Sequence, residues 1–293
     1  MDNDFWGQIF NFTDYSELLV LVRNSILAGA LLGVVGGLIG PFVMTRDLAF
    51  AVHGVSELSF AGASAALLFG VNVVAGSLAG SLAAAILIGL LGARARERNS
   101  IIAVLMPFGL GLGILFLSLY GGRSSNKFGL LTGQIVSVDS PQLLWLILIS
   151  TVVVVALLIM WRPLTFASVD EDVARARGVP VDAISMIFMV LLGLATAVSV
   201  QIVGALLVLA LLVTPAAAAM RVTSSPLLTP ILSVVFAVVS VVGGILLALG
   251  GALPISPYVT SISFLIYLVC RIIGHRRTRR GSNARQLVPA TAG

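Results

Sequence analysis

The chain has 293 residues, of which 59% are apolar and only 10% charged, against roughly 25% charged in an ordinary soluble domain. Mean hydropathy is +1.11, and no soluble core of this length absorbs so much apolar sequence, because a folded surface needs polar cover. A soluble enzyme or binding domain is thereby excluded. The alternating strands of a membrane β-barrel are absent from the pattern, which leaves an all-α integral membrane bundle.

Residues 1–18 carry Asp2, Asp4, Asp14 and Glu17 and lack the basic start of a signal peptide. They read as an extracytoplasmic segment. Apolar runs of crossing length follow at 19–44, 47–69, 71–92, 101–121, 141–161, 183–200, 203–220, 227–250 and 254–273. These nine spans make a transmembrane domain of 19–273, ending in a basic tail at 274–293. The single cysteine, Cys270, lies late in the last span and reads as a small buried apolar residue.

Charge sets the orientation. With the N-terminus outside, every one of the 17 basic residues except Arg23, Arg123 and Lys127 falls on the cytoplasmic side, as the positive-inside rule requires. The cytoplasmic set includes Arg46, Arg98, Arg162, Arg175, Arg177, Arg221 and the arginines of the tail. The topology is N-out, C-in. After a last membrane helix the tail reads as a cytoplasmic anchor at the lipid surface rather than a nucleic-acid-binding segment.

The stretch from Ser185 to Arg221 is short for two crossings and a turn. A single crossing there would place the basic tail outside, so two short or broken helices are expected, turning near Ser199, Gln201 and Gly204. Irregular backbone at membrane depth survives only where protein or a water-filled cavity shields it, which puts this hairpin inside the bundle. Small-residue spacing marks tight helix packing elsewhere: Gly29, Gly33 and Gly37 with Gly36 and Gly40 beside them, then Gly76 and Gly80, then Gly109 and Gly113.

Ionisable residues well inside spans come down to His53 and Glu57. Counted from Arg46, they lie about 10 Å and about 16 Å into the second span, and the i, i+4 spacing puts both on one helix face with Ala61 and Ser64. An ionisable group in a membrane span is costly and marks function by default. An imidazole and a carboxylate suit zinc, manganese or iron, and two ligands need a second copy of the chain or water to complete a sphere. A proton relay and a His–Glu pair that only fastens helices are the competing readings. Ser199 and Gln201 are further polar groups at membrane depth. His275 reads as a solvated tail residue.

Catalytic motifs are missing. Lys127, the one lysine, does not end a phosphate-binding loop, and the glycines at 109–113 lie in an apolar span without βαβ context. ATP hydrolysis is not expected of this chain.

The longest cytoplasmic loop, 162–182, contains Asp170-Glu171-Asp172-Val173-Ala174-Arg175-Ala176-Arg177-Gly178-Val179-Pro180. Acids before arginines suit the macrodipole of a short helix. Gly178 can end it and Pro180 opposes its resumption. A short helix projecting from a transporter suits docking to a soluble partner; an ordinary solvated loop helix is the plain alternative.

The chain resembles the membrane permeases of bacterial zinc/manganese/iron ABC importers from about Ile26 to Ile273. DEDVARARGV at 170–179 resembles the coupling segment of that family, and GALLVLALLVTPAAAA at 204–219 its apolar run closing in Pro215, Ala216 and Ala217. LTGQIVSVDSPQL at 131–143 resembles the segment before its fifth span. The family's second span reads Gly-Asp-Ala-x-Ser-His-Ala-x-Leu-Pro-Gly. Here Ser56 and Gly62 match, His53 stands at the Asp position, Glu57 at the His position, and Ala61 replaces the Pro.

The resemblance implies a homodimeric permease with His53 and Glu57 on a transient metal path near the dimer axis. It also implies coupling to cytoplasmic ATPase subunits through Asp170, Glu171, Asp172, Ala174 and Gly178, and an extracytoplasmic metal-binding protein as donor. No stably bound cofactor is expected, since the metal is cargo. A proton-coupled secondary cation carrier, and a permease for a chelate such as a siderophore or cobalamin, are the alternatives.

Overall fold

The computed structural model describes residues 22–92, 95–122, 140–249 and 255–286, with Leu19, Leu130 and Val138 besides. The expected N-terminal segment 1–18, most of the break at 121–134 and the tail beyond Gln286 lie outside the described residues. Within them the chain is helical throughout: α1 Arg23–Thr45, α2 Ala49–Phe69, α3 Val73–Leu91, α4 Ala95–Leu119, α5 Ser140–Val169, α6 Glu171–Ala176, α7 Val181–Val203, a 3₁₀ turn Ala205–Leu207, α8 Val208–Leu212, α9 Thr214–Val222, α10 Leu228–Ala248 and α11 Ile255–Gln286.

Among the described residues eight helices are long and apolar enough to cross a membrane. The ninth expected span is the broken run from Ala205 to Val222. The hairpin expected of 185–221 is therefore half right. Its first arm, α7, is an unbroken 23-residue helix, and only the second arm is interrupted. Gly204, at φ +87, makes the turn. The run then breaks again at Val213, ahead of Pro215, whose missing N–H and ring forbid a continuous helix through the preceding turn. The expected loop 162–182 is also mostly helix. Its first part continues α5 to Val169, through Pro163.

α1, α2 and α7 form the centre, each 67% buried over its most apolar stretch, whereas α3, α4, α5 and α11 are 28%, 22%, 28% and 17% buried. The glycines decide who packs against whom. Gly29, Gly33 and Gly37 face Val241, Val238 and Val234 of α10, in antiparallel register. A Cβ on Gly33 would sit 2.9 Å from the Val238 backbone. The adjacent stripe, Gly36 and Gly40, faces the carbonyls of Leu211 and Leu212 in α8. One helix thus seats two elements through two glycine rows, because in lipid close backbone approach replaces the hydrophobic effect.

α2 is gripped on two sides. Gly76 and Gly80 of α3 meet the carbonyls of Gly62 and Leu58, and Gly109 and Gly113 of α4 meet the Glu57–Leu58 backbone and the Phe60 ring. Both sequence pairs therefore serve the helix that carries His53 and Glu57. Buried hydroxyls add a cross-brace. Ser59 Oγ lies 2.7 Å from Ser77 Oγ, and Ser77 Oγ donates to the Ala197 carbonyl at 3.3 Å, joining α2, α3 and α7.

The packing also orients the broken run. Its start is held near Val73 at one end of the bundle, where Gln201 Nε2 donates to the Val73 carbonyl at 3.0 Å. Its last residues reach the other end, where the Arg221 carbonyl abuts Gly274. Arg46, Arg98, Arg175, Arg177 and Arg221 all lie toward that second end, as the charge pattern predicts.

Candidate functional site

His53 and Glu57 lie one turn apart on α2, which starts at Ala49. Glu57 is thus about 12 Å into a helix about 32 Å long, somewhat short of the middle. Its side chain is 4% exposed and that of His53 26%. His53 Nε2 stands 3.7 Å from Glu57 Oε1, beyond hydrogen-bond reach. His53 Nδ1 and Glu57 Oε2 are buried and have no partner among the described residues. The next hydroxyl, Ser56 Oγ, is engaged with the His53 carbonyl at 2.8 Å.

This geometry bears on the three readings of the pair. Both residues belong to one helix, so their interaction fastens no two helices. A buried carboxylate oxygen and a buried imidazole nitrogen left without partners cost free energy. Such atoms persist where a ligand or a second chain supplies the missing contacts. Among the described residues no group of three His, Cys, Asp or Glu side chains gathers, so the described part of one copy offers this pair and no fuller cage of those side chains.

Of the other polar groups singled out in the sequence, Ser64 Oγ on the same face is buried without a partner among the described residues, whereas Ser199 and Gln201 are occupied. Ser199 Oγ donates to the Ala195 carbonyl at 2.7 Å within α7. Gln201 braces α7 against α3 and lines a cavity of about 430 Å³ with Asn72, Gln142 and Trp145. That cavity opens at the end of the bundle away from the arginines. Neither His53 nor Glu57 lines it.

The short helix expected in the 162–182 loop is present as α6. Asp170 caps it, accepting from the Val173 N–H at 2.9 Å. Gly178, at φ +79, closes it with a Schellman motif: Val179 N–H reaches the Ala174 carbonyl at 3.0 Å and Gly178 N–H the Arg175 carbonyl at 3.0 Å. The short helix is not resumed past Gly178, and a separate helix, α7, starts directly after Pro180, which stands at its N-cap.

Ala174 is fully buried, in a small cluster with Ala167 and Val181 that Val179 flanks. It faces the bundle rather than solvent. Asp172, Val173 and Arg177 are exposed. Arg175 bridges Glu171 at 3.1 Å and Asp182 at 2.6 Å, and these bonds, Asp182 first, hold its pKa above the ordinary value. The five predicted coupling residues thus divide. Asp170, Ala174 and Gly178 build and seat the helix, Glu171 locks it, and Asp172 faces outward.

One residue that the sequence showed only as a charge proves central to this end. Arg46 Nε donates to Ser168 Oγ at 2.8 Å and Nη1 to Ser185 Oγ at 2.9 Å. Its guanidinium lies 5.7 Å from the centroid of Phe188, which meets Phe42 edge-on, as Phe42 meets Trp161. Burial pulls the Arg46 pKa below its usual value. Nothing in the one-dimensional pattern distinguishes Ser168 and Ser185 from other helix-end serines.

Comparison with known proteins agrees with this architecture. The chain is 29% identical over 226 residues to the manganese transport system membrane protein MntC of Halalkalibacterium halodurans, covering 76% of this chain and 77% of that one. It is 27% identical over 257 residues to the high-affinity zinc uptake system membrane protein ZnuB of Buchnera aphidicola, covering 87% and 98%. Its fold matches a chain of PsaBC from Streptococcus pneumoniae, solved in complex with Fab, with a TM-score of 0.79 over 88% of this chain and 95% of that one at 24% identity. A chain from an ABC transporter described as metal-chelate type, in an inward-facing conformation, matches at TM-score 0.68 and 18% identity, covering 90% and 92%. Residues 19–274, almost the whole described bundle, match the ABC 3 transport family, and this multi-pass membrane protein belongs to it.

Proposed function

We propose that the chain is the permease subunit of an ATP-binding-cassette importer that carries a divalent transition metal, zinc, manganese or iron, into the cytoplasm. The observation that carries the reading is the His53–Glu57 pair, half-buried and buried in turn, with Nδ1 and Oε2 buried and unpartnered among the described residues, in a chain of a family whose curated relatives are named for manganese and zinc transport. Two copies side by side would offer two imidazoles and two carboxylates. That is a sensible donor set for a borderline divalent ion, and one loose enough to release it.

The chain supplies the path and separate cytoplasmic ATPase subunits supply the work. Those subunits dock on the exposed face of α6, and an extracytoplasmic metal-binding protein delivers the ion at the opposite end. Closure of the ATPases moves α6, and the bundle alternates access around the dimer axis. Family membership favours this over a carrier working alone, and the compact carboxylate–imidazole pair favours a bare ion over a bulky chelate.

Growth of a deletion strain under zinc, manganese or iron limitation, with cell metal content measured, tests the proposal. Wild-type chain restores growth and content for at least one of the three metals. Restoration of none would overturn it.

A further inference from the structure

The Arg46 cluster is better built than helix fastening requires. Ser168 lies in the last turn of α5 and Ser185 in the first turns of α7, so the two hydroxyls flank the segment that carries α6. A single guanidinium spans both. Its hydrogen-bond partners there are neutral, its opposite charge is Glu171 of α6, and Nη2 is buried without a partner among the described residues. A half-buried charge whose direct bonds go to neutral hydroxyls is a costly way to join helices. What the guanidinium offers instead is a rigid planar fork that reaches two helices at once.

The other side of Arg46 is equally constrained. Arg98 Nη2 donates to the Arg46 carbonyl at 3.2 Å. The corner from α1 to α2 is closed by Leu48 N–H on the Val43 carbonyl at 2.8 Å, with Asp47 left-handed at φ 54. So tight a corner passes a displacement on rather than absorbing it. α2 begins three residues later at Ala49, and His53 follows one turn into it.

We infer that Arg46 is the positioning residue that transmits movement of α6 to α2, and so to His53 and Glu57, through its forked bonds to Ser168 and Ser185. This rests on the proposed function and adds to it the contact by which the ATPase-facing helix acts on the metal-facing one.

The test uses the chain purified with its ATPase subunit in proteoliposomes. The readout is metal imported per ATP hydrolysed. Ser168→Ala with Ser185→Ala removes both acceptors and keeps every charge. The ratio is expected to fall about fivefold or more, with ATPase co-purification and the thermal midpoint unchanged. Arg46→Lys, a point charge without the fork, gives the same loss. Ser168→Thr with Ser185→Thr keeps the hydroxyls and the ratio.

An unchanged ratio in the double-alanine variant overturns the inference. So does a loss of transport that only follows a loss of thermal stability, because the cluster would then be a fastener. Wild-type vesicles that import none of the three metals would instead count against the proposed function. The clamp is then read from ATP hydrolysis alone, which the double-alanine variant raises if α6 has been released from α2 and leaves unchanged otherwise.

Discussion

His53 Nε2 faces Glu57 Oε1 across 3.7 Å on one turn of α2, close enough to share an ion and too far to satisfy each other. Their second polar atoms, Nδ1 and Oε2, are buried and unpartnered among the described residues. The pair is costly to the isolated fold, and that cost is the lever for the first prediction.

Glu57→Leu removes a buried, unsatisfied carboxylate and fills the same space with carbon. It should leave thermal stability in detergent unchanged or raise it, by about 1 kcal/mol or more, while cellular metal uptake falls to background. His53→Ala should likewise abolish uptake with expression intact. A Glu57→Leu chain that unfolds at lower temperature would point to a structural role for the carboxylate. Full uptake in both variants would remove the pair from the path.

The glycine seams predict a sharp positional contrast. Gly33→Leu puts a side chain where Val238 backbone atoms stand 2.9 Å from the first added carbon, and should cost about 1–3 kcal/mol. Gly111→Ala, within 4 Å of nothing, should be neutral or stabilise α4 by up to about 1 kcal/mol through helix propensity. Thermal unfolding of both variants in one detergent decides it. Equal effects would mean that α1 and α10 are not packed along this seam.

On α6, building residues and facing residues should separate. Ala174→Arg forces a charge into a fully buried site and should unseat the helix, lowering both stability and ATPase co-purification. Gly178→Ala strains a φ of +79, costing about 1–2 kcal/mol. Asp172→Arg, on the exposed face, should weaken ATPase binding with the thermal midpoint unchanged. If Asp172→Arg binds ATPase normally, the docking face lies elsewhere.

The Arg175 bridges to Glu171 and Asp182 should matter little to global stability. They are exposed to solvent, where water and salt screen such pairs and leave little net stability, so Asp182→Ala should shift the midpoint only slightly. The sign of their pH dependence follows from the raised Arg175 pKa. Stability from a raised pKa is fully present below the unfolded value and is lost only as pH climbs through the folded one, which for an arginine is strongly alkaline. A pH scan between about 6 and 9 should therefore leave this contribution flat. A midpoint that falls steeply across that window in wild type, but not in Asp182→Ala, would contradict the assignment.

Much of the molecule was legible in one dimension. Nine apolar runs, their glycine spacings and the one-sided distribution of arginine follow from the price of exposing polar backbone and charge to lipid, a local property of each segment. α6 was legible for the same reason: Asp170, the acids before the arginines and Gly178 are a helix and its two caps, all within a few residues. His53 and Glu57 stood out because ionisable residues inside spans are rare.

Tertiary structure decided the rest. Pro215 makes the break at Val213 a local matter, but the seat of the broken run on α1, where Gly36 and Gly40 admit the carbonyls of Leu211 and Leu212, is a contact between segments far apart in sequence. That Ala174 faces inward, and that Gln201 braces α3, are likewise matters of what lies opposite. Arg46 illustrates the limit best. The sequence by itself determined that an arginine stands at the end of a span, because charge is excluded from lipid. Only the packed structure brought Ser168 and Ser185 within reach of one guanidinium, because a hydrogen bond needs atoms within about 3 Å and distant helices arrive there only when the whole bundle closes.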